Sequence, residues 1–167
     1  MITFGGCDST NLTPKILKLM TKEFPALSKK VIVGTGFRNG EEIEKQKDER
    51  TNLTYNADAN MVKEIMIDSD IAISAAGQTL SELARIGAPT IALAVADNQL
   101  NNLEGWRKAG FIESVDVSDG SDSIAHLTGT IGLLSSGLVR KEKSLRGRNA
   151  IDGNGARRIV NEIVSMV

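Results

Sequence analysis

The sequence predicts an α/β fold: a Rossmann-like, doubly wound parallel sheet of about six strands, covered by helices on both faces. Two observations predict it. Short continuous apolar runs, among them "KVIV" (30–33), "IAIS" (71–74) and "TIALAV" (90–95), alternate with segments whose apolar residues recur at helical spacing. Runs without polar alternation suit strands buried on both faces, which is the environment of a parallel sheet. Several of these runs end in small, polar or glycine-containing loops that lead into a helix. The 167 residues suffice for one sizeable core, and no repeat, low-complexity tract or linker divides them.

Taken in order, "MITF" opens as a strand and "GGCDST" follows it as a turn. A helix is expected from about Pro14 to Met20, since proline suits a first helical turn; Asn11 and Thr13 are its candidate caps. After "KVIV" comes the loop "GTGFRNG", then a weak, highly charged helix in "EEIEKQK". "NLTY" (52–55) reads as a strand, and Met61, Ile65 and Met66 give the next helix an apolar stripe. "IAIS" leads through Ala75–Gln78 into a helix that ends at Gly87-Ala88-Pro89, and "TIALAV" ends in "ADNQ". Leu100, Leu103, Trp106 and Ala109 mark one face of a helix stopped by Gly110. "FIESVDV" (111–117) is the expected last strand, followed by helices over about 121–135, 139–145 and 155–167.

Composition narrows the function classes. Lys and Arg total 20 against 21 Asp and Glu, so no charge excess points to nucleic acid or an anionic membrane. Cys7 is the only cysteine, which forbids an intrachain disulfide and suits a reducing cytoplasm; with His126 as the only histidine, a Cys/His zinc site is not expected. No apolar run approaches the roughly 20 residues of a membrane span, and the N-terminus does not read as a signal peptide. The chain starts at once in a strand, from which a missing or separately supplied upstream part is expected.

In an open parallel sheet, ligands bind at the carboxyl ends of the strands, near the switch in strand order. Five loops are placed there: 5–8, 34–39, 56–61, 75–79 and 96–99. Glycine lets backbone approach a ligand, and the free N–H groups of a following helix attract phosphate oxygens. A dinucleotide or P-loop reading fails, because the first turn is "GGCDST" and no G-x-x-x-x-G-K-[ST] occurs; Gly34-x-Gly36 is only a weak glycine signal. Thr79-x-x-Glu82 has a competing structural reading as a capping box, in which Glu82 reaches back to the cap residue.

Beyond spacing, "IAISAAGQTLSELARIGAPTIALAVADNQ" resembles the nucleotide-binding half of GT-B-fold enzymes, and most of all the SpsG/PseG group of UDP-sugar hydrolases and their relatives. "FGGCDSTNLT", "VIVGTGFRN", "ADANMVKEIMIDSDIAIS" and "IDGNGARRIVNEI" occur in the same order, so the resemblance spans essentially the whole chain. It implies that residues 1–167 are a single UDP-sugar-binding domain, the C-terminal half of a GT-B fold, with no cofactor. By resemblance, Gly5, Gly6, Gly77, Gln78 and Thr79 contact the diphosphate and Glu82 holds the ribose hydroxyls. Asn56, Ala57 and Met61 hold the uracil, while Asp8, Asp97, Asn98 and Gln99 lie on the sugar side. The expected partners are a UDP-sugar and the N-terminal GT-B domain, or a subunit in its place.

Relatives carry Ser-Ala-Gly-Gly where this chain has Ala76 and Gln78, and the extra Cβ of Ala76 is expected to restrict backbone approach. In the hydrolases the catalytic histidine belongs to the preceding domain, so no catalytic residue is expected in this chain. His126 is read as an exposed or packing residue, Cys7 as a turn residue, and Leu103 and Trp106 as core. The five basic residues of "RKEKSLRGR" (140–148) are read as a solvated helix surface. The reading is a UDP-sugar-binding half of a hydrolase or transferase in surface-polysaccharide or nonulosonic acid synthesis. The alternatives are a subunit of a split UDP-N-acetylglucosamine transferase and a non-catalytic binding module. One face left apolar by a missing domain is expected to favour dimerisation.

Overall fold

A computed structural model describes residues 1–116 and 120–166. Six parallel strands form one sheet in the order β3-β2-β1-β4-β5-β6. They are β1 (Ile2–Thr3), β2 (Lys29–Val33), β3 (Thr51–Tyr55), β4 (Ala72–Ala75), β5 (Thr90–Leu93) and β6 (Ile112–Ser114). The helices are α1 (Leu12–Glu23), α2 (Gly40–Gln46), α3 (Ala59–Ile67), α4 (Thr79–Ile86), α5 (Leu100–Lys108), α6 (Gly120–Leu134), α7 (Gly137–Ala150) and α8 (Gly155–Ser165), with a 3-10 turn at Asp97–Gln99. The predicted architecture is therefore the observed one. Val117 and Val167, expected to end a strand and a helix, lie outside the described residues.

The central strands carry two kinds of side chain. Ile73, Ile91 and Leu93 point into a layer with Ile16 and Leu17 of α1 and Leu127, Ile131 and Leu134 of α6. Ala72 and Ala92 face the other way, against Leu80, Leu83 and Ala84 of α4. Alternation of large and small residues on successive strand positions follows from the period of two. The alanine side lets α4 approach the sheet closely, and Leu80 and Leu83 are fully buried there.

Three expectations are corrected. Helix α1 begins at Leu12, not Pro14, and neither Asn11 nor Thr13 caps it. The Asp8 carboxylate accepts from the N–H groups of Leu12 (2.9 Å) and Thr13 (2.8 Å), reaching forward from the preceding loop. Leu100 and Ala109 are exposed, while Leu103 and Trp106 pack as expected, Trp106 edge-on to Phe111 at 5.5 Å. Leu100 is the first residue of α5, directly after the 3-10 turn beyond the end of β5, and its side chain does not join the core.

The third correction concerns "RKEKSLRGR", which docks on the fold through Lys143 and Gly147 while Lys141, Glu142 and Arg146 stay exposed on the expected helix surface. Lys143 is buried; its ammonium meets Glu113 at 2.6 Å and donates to the carbonyl of Ile112 at 3.3 Å. Arg148 Nε donates to the carbonyl of Ile86 at 2.9 Å, closing the end of α4. Gly87 there has φ 81°, and a Cβ on it would stand 2.4 Å from Arg148 Nε, so only glycine suits both demands. Gly147 lets α7 touch Phe111 and the carbonyl of Ala84. A Cβ at that position would lie 2.6 Å from the Phe111 ring.

Two outcomes test this packing. Gly147→Ala is expected to cost about 1–3 kcal/mol in urea denaturation by overpacking the α4–α7 contact; an unchanged midpoint would contradict the docking. The buried Lys29 ammonium sits 2.5 Å from Asp48. Bonds from Lys29 and Thr51 hold the Asp48 carboxyl below the usual carboxylate range. Because the folded-state value is the lower one, this contribution is complete above the unfolded value of about 3.9 and is lost as pH falls through the folded value. Acid denaturation curves are expected to be shallower for Asp48→Asn than for the natural chain.

Candidate functional site

The strand order reverses direction between β1 and β4, and a crevice opens outside their carboxyl ends. The loops after β1 and β4 form its two walls. The loops after β2 and β3 continue along one side, and the loop after β5 along the other.

The first wall is tightly built. Gly5 has φ 75°, a left-handed conformation that glycine adopts without strain. The loop after β2 lies directly against it: Gly36 N–H donates to the carbonyl of Gly6 at 2.9 Å. A Cβ on Gly34 would stand 2.5 Å from the Gly5 carbonyl oxygen, and one on Gly36 would stand 2.8 Å from that of Gly6. Gly34-x-Gly36 is thus a packing element that seats the loop after β1. Gly6 itself is open: a Cβ placed on it would meet nothing within 4 Å. Asp8 is buried and directs both carboxylate oxygens into α1, while Asn39 Nδ2 donates to it at 3.0 Å. Asn39 also bonds Asn11, whose amide in turn donates to Glu42 at 2.9 Å. Asp8 is therefore committed to positioning this wall.

The second wall is the turn from β4 into α4. Ala76 N–H donates to the carbonyl of Leu93 at 2.9 Å, and the Ala76 side chain is wholly buried on the α4 side of the sheet. Its methyl group therefore points into the core and does not occupy the crevice, contrary to the restriction expected of it. Leu80 N–H and Ser81 N–H turn back to the carbonyls of Gly77 (3.2 Å) and Gln78 (3.0 Å). The N–H groups of Gly77, Gln78 and Thr79 have no protein partner among the described residues. Such groups, at the positive end of a helix dipole, attract an anion. Gly77 has no positive φ and only the Gln99 amide, at 4.0 Å, near a Cβ position. Neither conformation nor crowding requires glycine here.

The capping box does not form. The cap position is Gln78, which makes no side-chain cap bond, and Thr79 is already the first helical residue. Glu82 is exposed and has no hydrogen-bond or ion-pair partner among the described residues. Its carboxylate stands free on the first turn of α4, on the helix that opens the crevice.

A residue on the far side of the turn holds it. Asn102 Nδ2, on α5, donates to the carbonyls of Ala76 (2.7 Å) and Gly77 (3.2 Å). Gln99 Oε1 accepts from Val95 N–H at 3.1 Å. Asp97 and Asn98 are exposed in the 3-10 turn beside them. Asn102 carries no sequence signal: it sits in a polar Asn-Asn pair in a helix whose pattern is set by Leu103 and Trp106.

Asn56, with φ 51°, Ala57 and the exposed Met61 stand at the end of β3, where Asp58 caps α3 by accepting from Met61 N–H at 2.8 Å. Three strand spacings, about 14 Å at the usual interval, separate β3 from β4. The structure thus lines all the candidate residues along one carboxyl edge but does not gather them at one point. His126 is exposed on α6 and Cys7 is exposed in the first loop. Among the described residues no acidic, histidine or cysteine group is clustered to hold a metal ion, and no helix is long and apolar enough to cross a membrane. A cavity of about 650 Å³, lined by Met1, Lys30, Asp70 and Arg140, lies at the opposite, amino ends of the strands.

Comparisons with known proteins bear on the fold. No protein-family profile matches the chain. An uncharacterised protein of Methanocaldococcus jannaschii is 31% identical over 98 residues, covering 56% of this chain and 20% of its own length. Among solved structures, MurG of Acinetobacter baumannii superposes with a TM-score of 0.79 at 14% identity, over 98% of this chain and 48% of its own. The glycotransferase of kitacinnamycin gives 0.74 at 15% identity, over 99% and 41%. The spinosyn rhamnosyltransferase SpnG, solved with thymidine diphosphate, gives 0.68 at 14% identity, over 90% and 40%. The chain spans less than half the length of each. The fold is that of a GT-B glycosyltransferase C-terminal domain.

Gly34→Ala tests the seating of the first wall. It is expected to destabilise the chain by about 1–3 kcal/mol and to shift the amide resonances of Gly5 and Gly6; a neutral substitution would contradict the contact.

Proposed function

We propose that this chain binds a nucleoside-diphosphate sugar, a UDP-sugar in the first instance, across the carboxyl edge of its sheet. The observation that carries the reading is the start of α4: three N–H groups without protein partners, followed one turn later by a free carboxylate. The N–H groups suit a diphosphate. The Glu82 carboxylate suits vicinal ribose hydroxyls, because it only accepts hydrogen bonds and can take one from each. Gly77 and Gly6 leave space for close backbone approach. Asn56, Ala57 and Met61 are the proposed base contacts, and Asp97, Asn98 and Gln99 the proposed sugar-side contacts. SpnG, which shares the fold, was solved with a nucleoside diphosphate, which supports the ligand class.

The further proposal is that the chain acts as half of a hydrolase or glycosyltransferase, of the SpsG/PseG kind that its loops resemble. It supplies binding and orientation, while the group that activates water or an acceptor comes from a second domain. Helix α8 supports a missing partner surface. Ile159, Val160, Ile163, Val164 and Met166 are all more than half exposed on it, an uncovered apolar face that a second domain or subunit would bury. The neighbours' extra length supports the same reading, since more than half of each has no counterpart here.

Two experiments test these proposals. Calorimetric titration with UDP is expected to show binding that Glu82→Ala weakens about tenfold, without any change in melting temperature, since Glu82 caps nothing. Equal affinity in both proteins, or a stability loss alone, would sink the ribose role. Sedimentation of the isolated chain is expected to show self-association that Ile163→Asp abolishes without lowering stability; a strictly monomeric natural chain would contradict the uncovered face.

A further inference from the structure

We propose that Asn102 is a positioning residue that aims the anion-binding N–H groups at the start of α4; the proposal rests on the nucleotide-sugar reading given above. One amide nitrogen, Asn102 Nδ2, donates to two consecutive carbonyls, those of Ala76 at 2.7 Å and Gly77 at 3.2 Å. An Asn amide nitrogen carries two protons, so both bonds form at once. In a trans peptide the C=O and the following N–H point in opposite directions across a rigid plane. Holding the Ala76 carbonyl toward α5 therefore turns the Gly77 N–H away from α5. Holding the Gly77 carbonyl does the same for the Gln78 N–H.

Little else fixes these two planes. Ala76 is anchored through its own N–H to Leu93, which leaves its carbonyl free to rotate with ψ. The Gly77 carbonyl otherwise meets only the Leu80 N–H, at 3.2 Å. Glycine at position 77 has the widest backbone freedom of any residue. Without Asn102, the Ala76 carbonyl oxygen is free to rotate toward the crevice, where it would repel a phosphate, and the Gly77 carbonyl keeps only its bond from the Leu80 N–H. With it, the donors are set before ligand arrives, and no reorganisation is needed on binding. Gln99 flanks the same turn from the 3-10 segment, its amide 4.0 Å from the Gly77 Cβ position.

The test compares UDP with uridine on the natural chain, Asn102→Leu and Asn102→Asp. Leu keeps the volume and Asp the shape, and neither donates to the carbonyls at neutral pH. Affinity for UDP is expected to fall about tenfold in both, while affinity for uridine, which lacks the diphosphate, stays within about twofold of the natural chain. Asn102→Ser, which keeps a donor too short to reach both carbonyls, is expected to fall between. Unchanged UDP affinity in Asn102→Leu and Asn102→Asp overturns the proposal. A parallel loss of uridine and UDP affinity also overturns it, by reducing Asn102 to a structural role. Absence of UDP binding by the natural chain overturns the functional reading itself, and the two failures are thereby distinguished.

Discussion

The parallel pairing of β1 with β4 is the constraint from which the rest follows. Ile2 pairs with Val31 on one side and with Ile73 on the other, so the chain must wind outward in both directions from this strand. Helices then leave the two central strands on opposite faces of the sheet. The loops that lead into them diverge and leave a crevice between them. Everything assigned to binding stands at that divergence or along the edge that extends it. Had β4 paired outside β3, α1 and α4 would not flank a common divergence.

The two walls of the crevice use glycine for different ends. Gly34 and Gly36 lack side chains because the carbonyls of Gly5 and Gly6 occupy the space where one would go. Gly87 and Gly147 likewise make room for α7, which locks the far end of α4 through Arg148 and Phe111. Gly6 and Gly77 are different, since nothing in the protein crowds the space beside them. The helix that opens the site is therefore fixed at its distal end by packing and left bare at its proximal end. A rigid scaffold with one unsatisfied terminus is the arrangement expected of a site that orients a ligand by its phosphates.

The fold was legible in the sequence because buried parallel strands leave unbroken apolar runs, and "IAIS" and "TIALAV" register as such without any long-range information. Helix positions followed from periodicity. What escaped was decided by side chains that act across the fold. Asp8 sits in a turn where a cap and a ligand contact have the same residue signature; only its distance to Leu12 and Thr13 shows which bonds it makes. The basic run 140–148 has the composition of a solvated surface, yet Lys143 finds Glu113 and two carbonyls, a partnership that no local pattern announces. Thr79-x-x-Glu82 matched a capping box by spacing, and the one-residue placement of the cap at Gln78 undid it. Asn102 was invisible because its partners are backbone carbonyls 25 and 26 residues away.

The start of α4 as an anion site is tested most directly by an amide-resolved NMR titration of the chain with UDP. Large shifts are expected at Gly77, Gln78 and Thr79, with smaller ones at Glu82 and along 56–61, and none at the cavity lined by Met1, Lys30 and Arg140. Shifts confined to that cavity, or the absence of any shift at 77–79 under saturating UDP, would contradict the site.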